Sequence, residues 1–262
     1  MYKVIWVARF KEGMDRDAAR RHWSDTHGPL GRKVPGIERY VQNHVTSALG
    51  FVGLSDERTS FDGYSTCWYA HRAAFEESLT TPAWGALGAD SPNLFDDSCW
   101  AGWSASLDPR TIIDGPEGPF KTVWFVRFKP EVRADPQRTR DAHDRWITSH
   151  GGQFGVQVPG ISRYVQNHVV AAIDNVGEND EIPMEYDGYS ECWFEDRAAF
   201  DLAMASEQWR RMNEDAVELF DIEYTVPLMS AVLAERVIVE GTRGVISQVP
   251  ANSITSSFGS GE

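Results

Sequence analysis

The chain is poor in cysteine, poor in positive charge and without any long apolar run. Its three cysteines, Cys67, Cys99 and Cys192, are odd in number, widely spaced and free of CxxC or Cys/His ligand spacing. That pattern argues against both a disulfide framework and a structural zinc site. Lys and Arg number 25 against 39 Asp and Glu, a formal charge of −14. Phosphate binding is carried mainly by Lys and Arg, so neither nucleic acid nor an anionic membrane surface is an expected partner. No stretch approaches the roughly 18 apolar residues of a membrane span. The opening MYKVIWVARFKEG alternates like a strand and lacks the apolar block of a signal peptide. The expected location is therefore a reducing cytoplasm. Also missing are a GxGxxG after a strand, a GxxxxGK(S/T), a GxSxG and an HExxH. Dinucleotide chemistry, phosphoryl transfer, serine hydrolysis and zincin activity lose their usual sequence support. Asp25, Asp62 and Glu191 form no evident metal site, so the chemistry is expected to need neither metal nor cofactor.

What is present is a repeat. KVIWVARFK (3–11) returns as TVWFVRFK (122–129), and HWSDTHGPLGRKVPGIERYVQNHV as RWITSHGGQFGVQVPGISRYVQNHV. FDGYSTCWYAHRAAFEESL likewise returns as YDGYSECWFEDRAAFDLAM. The spacing grows in small steps, from 118 (Trp6 to Trp124) through 123 (His27 to His150) and 124 (His44 to His168) to 125 (Asp62 to Asp187). Small steps are loop insertions between intact elements. The expectation is two homologous domains, 1–113 and 120–241, a Gly/Pro-rich linker at 114–119, and a polar tail at 242–262. With 10 Trp, 8 Tyr and 13 Phe, two cores can be filled without staples.

Each copy reads as βαββαβ. In the first, Tyr2, Val4, Trp6, Ala8 and Phe10 share one face of strand one. A helix begins at the N-cap type Asp15 and is expected to stop by Thr26, ahead of Gly28-Pro29. Strands are expected over Ile37–Thr46, Gly63–Ala70 and Ser98–Leu107, with helices over Arg72–Leu79 and from Pro82. This order implies an α+β fold, with an antiparallel sheet that carries both helices on one face. The other face is bare and apolar, and the second copy is its natural cover.

Two histidine positions recur, His27/His150 and His44/His168. At the end of helix one, His27 is expected to have its pKa raised by the helix dipole. His44 is in phase with Tyr40 and Gln42 on strand two, so His27, His44 and Tyr40 could converge on one pocket under the helices. A His/His/Tyr cluster suits enolisation or dehydration, where an imidazole moves a proton beside a carbonyl and a second donor holds the oxyanion. The structural alternatives are a helix-capping His27 and a hydrogen-bonded core His44, and duplication copies either role. His22, His71 and His143 read as surface. Trp23/Trp146, Trp68/Trp193 and Trp84/Trp209 read as core, with Trp68 or Trp193 able to line a cavity. Cys67 and Cys192 read as small buried hydrophobes.

HWSDTHGPL, VPGIERYVQNHV and DGYSTCWY resemble the EthD domain family of the dimeric α+β barrel superfamily, over roughly 1–108 and 120–235. The resemblance implies two ferredoxin-like units packed sheet to sheet as an intramolecular pseudodimer, with a homo-oligomer of that pseudodimer open. It implies cofactor-free acid–base chemistry, a dehydration, cyclisation or lactone rearrangement on a small, largely apolar carbonyl or aromatic-derived metabolite. Its helix-end histidine maps onto His27 and His150. Its strand-two polar row maps onto Tyr40, Gln42, Asn43 and His44, and onto Tyr164, Gln166, Asn167 and His168. Catalytic roles thus fall on His27, His44 and Tyr40 and on His150, His168 and Tyr164. Substrate contacts fall on Trp23, Gln42, Asn43 and Trp68, and on Trp146, Gln166, Asn167, Glu191 and Trp193. The second copy departs at Gly151-Gly152 and Thr148, and keeps the family's strand-three acid as Glu191 where the first has Thr66. Two other readings stay open: a non-catalytic binder of a hydrophobic metabolite or accessory to an oxygenase, and a haem protein with His27 or His150 as axial ligand, as in other branches of the superfamily.

Overall fold

The computed structural model describes residues 1–50, 53–55, 59–96, 102–223 and 230–241. Cys99, the start of the expected strand at Ser98 and the tail at 242–262 lie outside the described residues. The first repeat contributes β1 (Tyr2–Ala8), β2 (Arg39–Gly50), the short β3 (Gly53–Ser55), β4 (Gly63–Tyr69) and β5 (Ala105–Ile113). The second contributes β6 (Phe120–Val126), β7 (Ile161–Ala172), β8 (Gly188–Phe194) and β9 (Ser230–Val239). All named pairings are antiparallel. The strands run β2-β4-β1-β5-β7-β8-β6-β9, and β9 pairs back onto β2. The result is a closed eight-stranded barrel, with β3 as a hairpin off β2.

The closure refines the expected face-to-face packing. The repeats join edge to edge, β5 to β7 and β9 to β2, which pairs the open backbone groups that a lone ferredoxin-like sheet would leave at its margins. β5 starts later and runs further than expected, to Ile113. Pro109 is tolerated within it because β1 pairs only as far as Leu107, so that side of β5 needs no donor at 109.

Inside the barrel, Ile5, Val7, Val45, Tyr64, Leu107, Val123, Phe125, Tyr189 and Leu233 form one apolar cluster. The inward face is less uniformly apolar than its pattern suggested, because it also buries Lys3, Lys121 and Glu191. Lys121 Nζ lies 2.7 Å and Lys3 Nζ 3.5 Å from the Glu191 carboxylate. Burial alone would raise the Glu191 pKa, but the two ammonium groups hold it well below the usual carboxylate range.

The helices cover the outside. Asp15 caps α1 (Arg16–His22), its carboxylate accepting from Ala18 N–H. The chain then stays helical where a stop was expected. A π-helical turn spans Trp23–His27 and leads into α2 (Gly28–Gly31). Pro29 follows closely on the π-helical turn, whose widened hydrogen-bond register accommodates the missing N–H without ending the helix. His27 is therefore within a continuous helix, not at its C-terminal end. The second repeat copies this with α5 (Pro130–Arg133), α6 (Pro136–Arg145) and a π-helical Trp146–Phe154. α3 (Arg72–Leu79) and α4 (Pro82–Asp90), and their counterparts α7 (Arg197–Met204) and α8 (Glu207–Leu219), complete the two layers. No described helix is long and apolar enough to cross a membrane.

Candidate active site

Between the helices and the outer face of the first repeat's sheet lies a cavity of about 480 Å³. Trp6, Trp23, Trp84, Phe95 and Ile37 give it apolar walls, and His27, Tyr40, Ser65 and Cys67 also line it. Trp6 and Trp84 pack with ring centroids 5.4 Å apart. The equivalent cavity of the second repeat, beside His150, Trp209 and Cys192, is only about 60 Å³. Leu87 and Gly88 of the larger cavity are replaced there by Met212 and Asn213, which fill the space.

His27 does not stand alone. Its Nδ1 lies 2.9 Å from Asp90 Oδ2 at the end of α4, and Phe95 meets its ring edge-on at 5.2 Å. His22 Nε2 approaches the other Asp90 oxygen at 3.0 Å. The second repeat keeps the arrangement, with His150 Nδ1 3.0 Å from Asp215 and Arg145 in the place of His22. Asp90 and Asp215 were missed from sequence, although the repeat aligns them: WGALGAD answers WRRMNED. His22 is correspondingly not a free surface residue. The His27 pKa is lowered, because burial outweighs the bond to Asp90. This reverses the expected rise, for which a helix end was needed. Asp90 is held below the usual carboxylate range by its bonds to His27 and His22, which outweigh its burial. With Nδ1 on a carboxylate, the nitrogen of His27 left for a ligand is Nε2.

Tyr40 reaches the cavity from β2. Its hydroxyl accepts from Gln42 Nε2 at 3.0 Å and from Ser65 Oγ at 3.4 Å, so its own proton remains to be donated. Burial pushes its pKa up to about 12. The ring fits because position 31 is glycine: a Cβ there would sit 2.6 Å from Tyr40 Cε1. Tyr164 is bonded alike by Gln166 and Ser190, but it does not line the second cavity.

The other expected site residues lie elsewhere. Gln42 also donates to the Trp23 carbonyl at 3.0 Å, and Gln166 to that of Trp146 at 2.9 Å. Both amides thus bind the π-helical turns to the sheet and line neither of the two cavities. His44 packs on Trp23 at 4.4 Å, with Nε2 3.2 Å from Gln42 Oε1. The Trp23 indole lines the cavity and His44 does not; burial pushes the His44 pKa down to about 4. His168 packs the same way on Trp146 and bonds His143 at 2.8 Å, so His143 is not a surface residue either. His71 is exposed and caps α3. Strand alternation sends Asn43, Asn167, Trp68, Glu191 and Trp193 into the barrel, on the face opposite Tyr40. There Lys121 donates to Asn43 at 2.8 Å and Lys3 to Asn167 at 2.7 Å. Lys3 stands over Trp68 and Lys121 over Trp193. These five residues cannot share a pocket with His27. Cys67 and Cys192 are buried thiols, their pKa values pushed up by burial.

The EthD domain model matches residues 11–98 and 135–223. No curated protein matches the chain. Among solved structures, it is similar to a "putative monooxygenase" from Fusobacterium nucleatum at 10% identity and TM-score 0.54, covering 92% of this chain and 94% of that one. It is also similar to an anthrone oxidase-like protein at 12% identity and TM-score 0.52, with 92% and 94% covered. An ethyl tert-butyl ether d (ethd) family protein from Bacillus halodurans shares 25% identity over 36% of this chain and 85% of its own, at TM-score 0.30. The first two likenesses speak to the barrel fold alone. The family model, met once in each repeat and over more than half of the chain, carries the assignment: this protein belongs to the EthD domain family and holds two copies of that domain in one polypeptide.

Proposed function

We propose that the first repeat is a cofactor-independent lyase or isomerase site for a small, largely apolar carbonyl compound. The observation that carries this reading is the Asp90–His27 pair facing a 480 Å³ aromatic cavity. Asp90 accepts the Nδ1 proton, so a neutral His27 presents the Nε2 lone pair. Nε2 takes a proton from the carbon beside the carbonyl. The C–H electron pair moves into the enolate, whose oxygen accepts the Tyr40 hydroxyl proton as a hydrogen bond. The imidazolium then returns the proton to another carbon, an isomerisation, or to a departing β-hydroxyl, which leaves as water. The second repeat keeps the His150–Asp215 pair and lacks the room.

Haem fits this cavity poorly. His27 Nε2 backed by a carboxylate is a fair axial ligand. Two propionates, however, would find Asp174 and no Lys or Arg among the described lining residues.

The test is exchange of the C2 protons of 1-tetralone in D2O, followed by NMR. Wild type is expected to accelerate exchange, His27→Gln to abolish it and His150→Gln to retain it. Undiminished exchange by His27→Gln overturns the proposal. Saturable tetralone binding without exchange would favour the binding-protein reading instead.

A further inference from the structure

The first repeat's cavity is not built by the first repeat alone. Ile173, Asp174, Asn175 and Ile182, all from the second repeat, line it. They belong to the segment after β7, which crosses the seam and is held there at several points. Ile173 N–H donates to the Ser104 carbonyl at 2.9 Å, and its side chain is buried in a cluster with Val4, Tyr40 and Cys67. Glu178 takes the Tyr2 hydroxyl at 2.8 Å and Arg72 at 2.6 Å.

Within this segment Asp174 is fixed before any ligand arrives. Its N–H donates to the Gly177 carbonyl, one carboxylate oxygen accepts from Val176 N–H and the other from Asn179 Nδ2, all within 2.9 Å. A carboxylate has about four acceptor positions, so both oxygens keep capacity. These bonds also hold its pKa below the usual range. The repeat places Gly50 at the equivalent position of the smaller cavity, so the acid is particular to the site with room for a ligand. Among the described lining residues no cation offsets it.

We infer that Asp174 is a specificity-determining residue of the first repeat's cavity. It selects uncharged aromatic ketones that carry a hydrogen-bond donor, such as a phenolic hydroxyl, and rejects carboxylates and phosphates. The inference rests on the carbonyl-site reading above. A charge-assisted bond from a phenol to this pre-fixed carboxylate favours the hydroxylated ligand, while a ligand anion meets an uncompensated like charge.

The test uses three probes, 6-hydroxy-, 6-methoxy- and 6-carboxy-1-tetralone, with binding read from quenching of the tryptophans on the full chain. Wild type is expected to bind the hydroxy compound about tenfold tighter than the methoxy compound, and the carboxylate most weakly. Asp174→Asn keeps an acceptor for the Val176 N–H, and it should shrink the first ratio to about threefold or less and strengthen carboxylate binding. Unchanged ratios in Asp174→Asn, tightest binding of the carboxylate, or no binding of any probe by wild type would each overturn the inference. Failure of the acid–base reading looks different: ratios shift as expected, yet no exchange occurs. Intact exchange with unshifted ratios condemns the specificity assignment alone.

Discussion

Asp90 gives His27 its direction. Without the carboxylate, neutral imidazole could place its single proton on either nitrogen, and the tautomer with Nε2–H could not act as a base toward the cavity. Asp90→Asn should therefore lower turnover by about 100-fold or more, within the usual span of a general base. The pH profile separates this from mere loss of packing. The active form is neutral His27, so activity holds at high pH and is lost as pH falls through the His27 pKa, which lies below the ordinary 6.5. The carboxylate favours imidazolium, so removing it lowers that pKa further and should move the acid limb to lower pH. A slower enzyme with its acid limb unmoved would mark Asp90 as a packing residue only. The pair was half legible: recurrence points to His27, whereas Asp90 recurs just as faithfully but ends a helix, opened by Pro82, whose sequence WGALGAD carries no other charged group to draw attention to it.

At the scale of elements, α4 sets the cavity's size. It buries none of its residues and carries Gly85 and Gly88, where an added Cβ would meet nothing within 4 Å. Its partner α8 instead buries Trp209, Met212, Asp215 and Leu219. Gly88→Leu should therefore close the first cavity without strain, and gain up to about 1 kcal/mol from helix propensity. The expected result is at least tenfold weaker binding of 1-tetralone with an equal or higher melting temperature. Undiminished binding would place the ligand elsewhere. Most elements were readable because their signals are local: Asp15 as N-cap, alternation on β1, Arg72–Leu79 as a helix. The run through Gly28-Pro29 was not, because its continuation depends on a π-helical turn whose Trp23 carbonyl is tied to Gln42. That is a tertiary contact which local punctuation cannot show.

The whole molecule is a barrel with near two-fold symmetry, which its buried charged cluster breaks at one residue. Lys3 and Lys121 occupy equivalent places inside it, as do Tyr64 and Tyr189, but Glu191 answers Thr66. A single carboxylate serves both lysines and accepts from Tyr64 at 2.7 Å, while the buried Tyr189 hydroxyl has no hydrogen-bond partner among the described residues. A homodimer of identical repeats could hold two such acids or none; a fused chain can hold one. The lysines fall on the inward phase of β1 and β6, a face expected to be bare and apolar, and only the closed edges reveal that one acid spans both. Glu191→Gln leaves two buried ammonium groups with Glu235, 3.6 Å from Lys121, and the more distant Glu117 as the acids still acting on them among the described residues. It should cost about 3–5 kcal/mol in urea unfolding. The exchanged variant Thr66→Glu/Glu191→Thr should recover most of that loss, because symmetry offers a carboxylate on the first repeat's strand the same two lysines and the idle Tyr189 hydroxyl. A loss under about 0.5 kcal/mol for Glu191→Gln would mean that water reaches the barrel's interior and screens the lysines. A large loss unrelieved by the exchange would mean that the two halves of the barrel differ around the cluster by more than this one residue.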